Sequence, residues 1–126
     1  MRSTKEVITN HLERFGARDL DGILADYAAD AVLFTPEGPL KGMDEIRGLF
    51  KQMIAEFEQP GANFTLRRLS ADGDHGFIVR TAETAEQVYE LGTDTFFVRE
   101  GRIEVQSFAG KITRKREAER PVSALS

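Results

Sequence analysis

The sequence has no cysteine and no tryptophan, and its 126 residues include only two histidines and four prolines. Without cysteine, the chain cannot build a disulfide framework, a cysteine zinc site or a thiol nucleophile. No apolar run approaches the roughly 20 residues that a membrane-spanning helix needs. Residues 2–6 are polar or charged and do not form an apolar signal core. We therefore expect a cytoplasmic protein with no membrane partner.

Charge and motifs narrow the function classes further. Acidic residues outnumber basic ones, 21 to 17, for a net charge of −4, so we expect no nucleic-acid partner. His11 and His75 are far apart in the sequence, and Asp72-Gly73-Asp74 lacks the other ligands of a calcium loop. We therefore predict no metal site. No glycine-rich phosphate loop occurs either, and we expect no cofactor.

Helical periodicity dominates the first half of the chain. A first helix begins at Ser3 or Thr4 and buries a stripe that includes His11. A second, short helix is capped by Asp19 and includes Tyr27 on its inner face. A strand over 31–35 follows, and residues 36–39 predict a tight connection. A third helix runs from about residue 41 to residue 57.

Alternation of apolar and polar residues dominates the second half of the chain. It predicts strands over 63–71, 75–83, 86–98 and 102–111, separated by short turns. Residues 113–126 are polar and aperiodic, which predicts a tail after a single domain over 1–112. This tail carries a local excess of basic residues, which we interpret as a solvated segment or a contact for an anionic partner. Helices followed by antiparallel hairpins are typical of an α+β fold.

The strand over 86–98 carries large apolar groups on both faces. Strict alternation places Val88, Glu90, Gly92, Asp94, Phe96 and Val98 on one face, and Tyr89, Leu91, Thr93, Thr95 and Phe97 on the other. In the last strand it places Ile103 with Val105, and Gln106 with Phe108. The helices can cover one face of this sheet. The outer face then needs a partner, and we predict a homodimer through it.

Several runs of residues resemble a known superfamily. They are Asp19-Leu20-Asp21-Gly22-Ile23, Tyr27-Ala28-Ala29-Asp30-Ala31-Val32, Pro36 with Lys41-Gly42, and the run over 92–103. Together they resemble nuclear transport factor 2-like proteins of the SnoaL-like and ketosteroid isomerase-like branch. The resemblance implies a cone-shaped barrel, in which a strongly curved, mostly antiparallel sheet wraps over three N-terminal helices. It also implies a dimer with an apolar pocket.

The resemblance does not carry over the isomerase mechanism. That isomerase uses an Asp base with an oxyanion hole made by a Tyr and a protonated Asp. In an ungapped match, the base position falls on Thr35 and the Tyr position falls on His11. Only the protonated Asp has a counterpart, Asp94. A threonine hydroxyl is not a base near neutral pH, so we expect different chemistry built on His11 and Asp94.

Each candidate catalytic residue can be interpreted either as functional or as purely structural. His11 is either a catalytic acid or base or a buried histidine bonded to a carbonyl or carboxylate. Asp94 either acts at a ligand oxygen or pairs with Arg80 or a backbone amide. The pocket residues that we expect are Phe15, Tyr27, Phe34, Thr35, Phe50, Met53, Phe57, Arg80, Phe96, Gln106 and Phe108.

Two functions remain open from the sequence. The first is cofactor-free acid–base catalysis on a small, apolar, oxygenated molecule, as in an isomerase, cyclase or dehydratase. The second is a non-catalytic dimeric module that binds a ligand or a partner protein. The superfamily hosts both kinds of protein, so the fold does not decide between them.

Overall fold

The computed structural model describes residues 1–115, which fold as three helices packed on one sheet. Helix α1, Thr4–Gly16, begins with a capping box in which Ser3 accepts from the Glu6 backbone and Glu6 accepts from the Ser3 backbone. Helix α2, Leu20–Ala25, is capped by Asp19, whose side chain accepts from the Gly22 backbone. Helix α3 spans Gly42–Phe57.

The sheet has six strands in the order β2-β1-β6-β5-β4-β3. All neighbours pair antiparallel except β1 and β6, which pair in parallel. The strand bounds are β1 Tyr27–Thr35, β2 Gly38–Lys41, β3 Asn63–Asp72, β4 His75–Glu83, β5 Gln87–Arg99 and β6 Arg102–Arg114. The predicted α+β architecture is confirmed. However, β2 and β3 do not pair with each other, so the curved sheet stays open and is not a closed barrel.

Three predicted boundaries were wrong. Tyr27 begins β1 and does not belong to α2. Residues 38–41 form the edge strand β2, because the chain reverses in a turn over 36–37 and pairs antiparallel with Val32 to Thr35 of β1. Strand β6 continues to Arg114, so Thr113 and Arg114 are part of the sheet. Residues 116–126 of the predicted tail lie outside the described residues.

Two bulges change which side chains face the helices. Strand β5 has one extra residue near Glu90 relative to both neighbours, because Tyr89 pairs with Ile112 while Leu91 pairs with Lys111. An extra residue reverses the alternation beyond it. Tyr89 is therefore buried and Glu90 exposed, opposite to the sequence prediction.

The second bulge lies in β6 at Glu104, where Phe97 pairs with Val105 but Val98 already pairs with Ile103. Ile103 is consequently fully buried, on the same face as Gln106, and not on the face of Val105 as predicted. The physical reason is again the extra residue, which shifts the alternation by one position.

The core lies between the three helices and the concave face of the sheet. Each helix contributes fully buried side chains, such as Ile8, Ile23 and Ile46, and the sheet contributes Phe96 and Ile103. The predicted helical stripes are confirmed at these positions. Within residues 1–115, no helix is both long and apolar enough to cross a membrane.

The pairing of β5 and β6 depends on Gly110. A Cβ atom at Gly110 would lie 2.5 Å from the backbone oxygen of Leu91, which cannot move without breaking the ladder. We expect Gly110→Ala to lower the free energy of unfolding by about 1–3 kcal/mol. As the matched control, Gly48 in α3 has no atom within 4 Å of an added Cβ, so Gly48→Ala should raise it by about 1 kcal/mol. Urea denaturation followed by circular dichroism measures both, and a neutral Gly110→Ala variant would contradict this packing.

Candidate functional site

A cavity of about 880 Å³ lies between helices α1 and α3 and the concave face of the sheet. This volume is within the range of small-molecule sites. The loop and strand over 35–40 contribute one side of it. Of the residues predicted from sequence, most line this cavity: His11, Phe15, Thr35, Phe50, Met53, Phe57, Arg80, Asp94, Phe96, Gln106 and Phe108.

Two predicted pocket residues lie elsewhere. Phe34 is 47% exposed, because its neighbour Leu33 faces the cavity and alternation along β1 turns Phe34 to the outer face of the sheet. Tyr27 is fully buried behind the cavity wall and does not line it. Its hydroxyl nevertheless contacts two residues that do, His11 and Gln106.

Three neighbouring strands place a buried ion pair against the cavity. Asp94 on β5 accepts from Arg80 Nε on β4 at 2.8 Å and from Gln106 Nε2 on β6 at 3.0 Å. Asp94 and Arg80 are both buried. Both neighbours donate to it, so each oxygen of the Asp94 carboxyl group accepts one hydrogen bond from a neighbouring strand.

The guanidinium group of Arg80 is held in place by its surroundings. It lies over the ring of Phe108, at 4.7 Å from the centroid, and a Cβ atom at Gly92 would lie only 3.2 Å from its Nη1. Among the described residues, Arg80 makes its side-chain hydrogen bond through Nε alone. Its Nη groups are therefore available as donors to a molecule in the cavity.

Behind the cavity wall, a second buried carboxylate faces His11. Asp26 is 2% exposed, and its Oδ1 accepts from Arg2 Nη1 at 2.8 Å and from Asn10 Nδ2 at 3.1 Å. Its Oδ2 lies 3.7 Å from His11 Nδ1. Burial raises the pKa of Asp26, but the nearby His11 ring and the hydrogen bonds from Arg2 and Asn10 outweigh burial and leave that pKa below its usual value.

Tyr27 connects the two carboxylates. Its hydroxyl donates to Gln106 Oε1 and lies 3.4 Å from His11 Nε2. Burial raises the pKa of Tyr27 well above its usual value, and the negative charges of Asp94 and Asp26 add to this effect. The phenol is therefore a neutral donor. Its contacts complete a polar chain that runs from Asp26 through His11, Tyr27 and Gln106 to Asp94.

A third polar cluster lies at the far end of α3. Glu56 lines the cavity and accepts from the Tyr89 hydroxyl at 2.9 Å, from Thr84 at 2.7 Å and from Gln87 at 3.1 Å. Burial raises the pKa of Tyr89, and the neighbouring charge of Glu56 raises it further. These bonds tie the end of α3 to the β4–β5 turn.

Sequence reasoning missed Asp26, Glu56 and Tyr89. Asp26 directly follows a short helix, where a polar residue usually faces solvent, and its partners Arg2 and Asn10 come from α1 and the residues before it. Tyr89 was placed on the wrong face because of the bulge in β5. The pattern contains no signal for either arrangement.

Residues 8–106 match the SnoaL-like domain family. The chain belongs to this family. None of the curated proteins matches the sequence significantly. The superfamily predicted from the sequence is therefore confirmed, over a segment that includes every cavity residue of α1, α3, β4 and β5 named above.

Solved structures share the SnoaL-like fold at low sequence identity. One is SalBIII, an epoxide hydrolase/cyclase-like enzyme with a role in pyran ring formation in the polyether salinomycin. Its sequence is 17% identical and its structure superposes with a TM-score of 0.76. The match covers 88% of this chain and 95% of the SalBIII chain. An NTF2-like protein of unknown function from Cytophaga hutchinsonii is 8% identical with a TM-score of 0.75, and the match covers 95% of this chain and 97% of the other. A candidate polyketide cyclase from Sinorhizobium meliloti is 15% identical with a TM-score of 0.71, and the match covers 82% of this chain and 93% of the other.

The ionisation of Asp26 links the site to stability. Because the pKa of Asp26 is lowered in the folded protein, its carboxylate stabilises the fold above the pKa of an unfolded aspartate, about 3.9. This contribution disappears as the pH falls through the lower folded value. We expect Asp26→Asn to lower the free energy of unfolding by about 1–3 kcal/mol at neutral pH. The difference from the wild type should shrink as the pH falls below the pKa of an unfolded aspartate and continue to shrink down through the lower pKa of the folded protein.

Urea denaturation at several pH values measures this difference. The control is Asp72→Asn, which changes an exposed carboxylate at the end of β3 and should cost little at any pH. A difference between wild type and Asp26→Asn that does not change with pH would contradict the lowered pKa of Asp26.

Proposed function

We propose that this SnoaL-like chain binds a small, largely apolar molecule that carries a carbonyl oxygen and catalyses proton transfer at it without a cofactor. Asp94 accepts the proton from the carbon beside the carbonyl group. The Nη groups of Arg80 donate to the carbonyl oxygen as it becomes an oxyanion. Gln106 holds the Asp94 carboxylate in position.

The proposal rests on one observation, the placement of the Asp94 carboxyl group and the paired guanidinium group of Arg80 side by side in a cavity lined largely by apolar side chains. A proton acceptor and an oxyanion stabiliser are the two groups that enolisation needs. The cavity walls contributed by Phe15, Phe50 and Phe57 favour an apolar ligand body.

His11 has a different place in this proposal from the one that the sequence suggested. Its two ring nitrogens face Asp26 and Tyr27, which occupy the positions where a ligand would otherwise exchange a proton with the ring. We therefore assign the direct proton transfer to Asp94 and place His11 behind it. The names of related structures, an epoxide hydrolase/cyclase-like enzyme and a candidate polyketide cyclase, favour an enzyme over a passive binder.

The test uses a ketone and needs no knowledge of the natural substrate. β-Tetralone in deuterated buffer exchanges its acidic carbon-bound protons slowly, and NMR measures the rate. We expect the protein to accelerate this exchange and Asp94→Asn to lower the acceleration by about 10²–10⁴-fold. Asp72→Asn is the matched control, since it makes the same chemical change at an exposed position, and its rate should equal that of the wild type.

Binding of the ketone is measured separately by calorimetry, so that catalysis and binding are distinguished. If the ketone binds but its exchange is not accelerated, the chain is a ligand-binding module and the catalytic proposal is wrong. If neither this ketone nor smaller cyclic ketones bind, the proposed ligand class is wrong.

We further infer that two copies associate through the outer face of the sheet. The convex side carries exposed apolar groups that no helix covers, including Phe34, Phe77 at 38% exposed and Leu91 at 49% exposed. The register places Phe77 opposite Thr95, which in turn lies opposite Ser107, the partner of Phe34, so these side chains form one continuous row. A second copy is a self-complementary cover for such a row.

Sedimentation equilibrium tests this association. We expect the wild type to have twice the chain mass of 14.1 kDa and Phe77→Glu to shift the mass towards one chain. The control is Leu66→Glu, because Leu66 is similarly exposed but pairs with Arg80 and so lies on the concave side. A wild-type mass of one chain, or equal effects of the two substitutions, would contradict the proposed interface.

A further inference from the structure

Two buried polar atoms lack a partner within residues 1–115, and they face each other. They are Nδ1 of His11 and Oδ2 of Asp26, 3.7 Å apart. An unsatisfied buried polar atom is destabilising. Two such atoms that face each other therefore need an explanation. The rest of the polar chain supplies one, because it fixes which groups carry protons.

The donor and acceptor of each hydrogen bond can be assigned in turn, beginning at Asp94 on the cavity and ending at His11. Asp94 accepts from the amide nitrogen of Gln106, which leaves the amide oxygen of Gln106 as an acceptor. The hydroxyl of Tyr27 donates its one proton to that oxygen. The oxygen of Tyr27 can therefore only accept from His11, so the proton of this contact lies on His11 Nε2.

The other ring nitrogen then faces a carboxylate. If only Nε2 carried a proton, the lone pair of Nδ1 would point at Oδ2 of Asp26, and both atoms would stay unsatisfied. A second proton on Nδ1 converts this repulsion into an ion pair. The protonated ring donates from both nitrogens, and both unpartnered atoms gain a partner.

The surroundings of His11 fit a positive charge. Tyr27 and Phe50 make edge-on contacts with the His11 ring at centroid distances of 5.3 and 5.6 Å, and Phe96 from β5 lies at 6.2 Å. The charged groups near the ring are Asp26, whose Oδ1 also pairs with Arg2, and, at the far end of the polar chain, Asp94, which pairs with Arg80.

We propose that His11 is a positioning residue, held as a doubly protonated ring by Asp26, which fixes the hydrogen-bond direction through Tyr27 and Gln106 so that Asp94 stays an acceptor. Its catalytic consequence rests on the proposed function, whereas its proton arrangement does not. Because the Tyr27 oxygen accepts from His11, its hydroxyl becomes a stronger donor to Gln106. The hydrogen bond from Gln106 to Asp94 is strengthened in turn.

The proton arrangement is tested by NMR on the wild-type protein without any ligand. Isotope-labelled histidine gives only two ring systems, and the exposed His75 serves as the internal reference. Proton–nitrogen correlations at neutral pH should assign a proton to each nitrogen of His11, and Asp26→Asn should remove the one on Nδ1 while His75 is unchanged. A wild-type His11 with a single proton would overturn the proposal.

The positioning role is tested by the ketone exchange described above. His11→Leu removes the donor to Tyr27 and should lower kcat roughly five- to tenfold with KM unchanged, the effect of weakening one hydrogen bond. His11→Gln retains an N–H donor and should recover part of the loss. His75→Gln is the matched control and should have no effect. A full rate in His11→Leu would overturn the positioning role.

The possible failures are distinguishable. If the wild type accelerates no exchange but both nitrogens of His11 carry protons, the proposed function is wrong and the ion pair stands. If exchange depends on Asp94 but His11 carries one proton, the function stands and the positioning proposal is wrong. A loss in His11→Leu as large as in Asp94→Asn, with no recovery in His11→Gln, would make His11 a direct acid or base and overturn the proposal.

Discussion

The ion pair between Arg80 and Asp94 is the constraint on which the site depends. Two charges in an apolar concavity are costly to desolvate, and their mutual attraction compensates only when the geometry is good and further hydrogen bonds are made. Here the 2.8 Å contact and the amide of Gln106 supply both conditions. Three adjacent strands hold the three side chains, so the curvature and register of β4, β5 and β6 determine the site directly.

Absent side chains matter as much as present ones in this arrangement. Gly92 lies opposite Arg80 in the ladder and leaves the space that the guanidinium group occupies. The rings of Phe108 and Phe64 lie 4.7 and 5.8 Å from the same group. The guanidinium group is therefore confined by a glycine and two aromatic rings. Such confinement reduces the side-chain freedom that Arg80 would lose on binding a ligand, which is the physical basis of a preorganised site.

The sequence predicted the architecture well and the site in part. The stripe of α1 gave the burial of His11, and alternation in β5 gave the inward direction of Asp94 and Phe96, because both depend on local periodicity. What it could not give arises from interruptions of that periodicity. One extra residue near Glu90 turns Tyr89 inward, and another at Glu104 turns Ile103 inward. Single inserted residues leave no trace in a hydrophobic pattern.

Long-range partners were the other limit of prediction. Asp26 has ordinary neighbours in the sequence, and its burial follows from Arg2, which also donates to the backbone oxygen of Gly101 and so joins the start of α1 to the β5–β6 hairpin. Glu56 likewise gains its role from Thr84, Gln87 and Tyr89, which are separated from it by 28 or more residues. Such contacts exist only once the topology brings distant segments together.

The two buried aspartates illustrate how environment separates the roles of identical side chains. Asp94 borders the cavity and is paired with Arg80, which lines the same cavity. Asp26 is sealed behind the wall, where Arg2, Asn10 and His11 surround it. Because Tyr27 and Gln106 connect them, a change in charge at either end alters the hydrogen bonds along the whole chain. The fold thus couples the anchoring of its own N-terminal helix to the orientation of the carboxylate at the cavity.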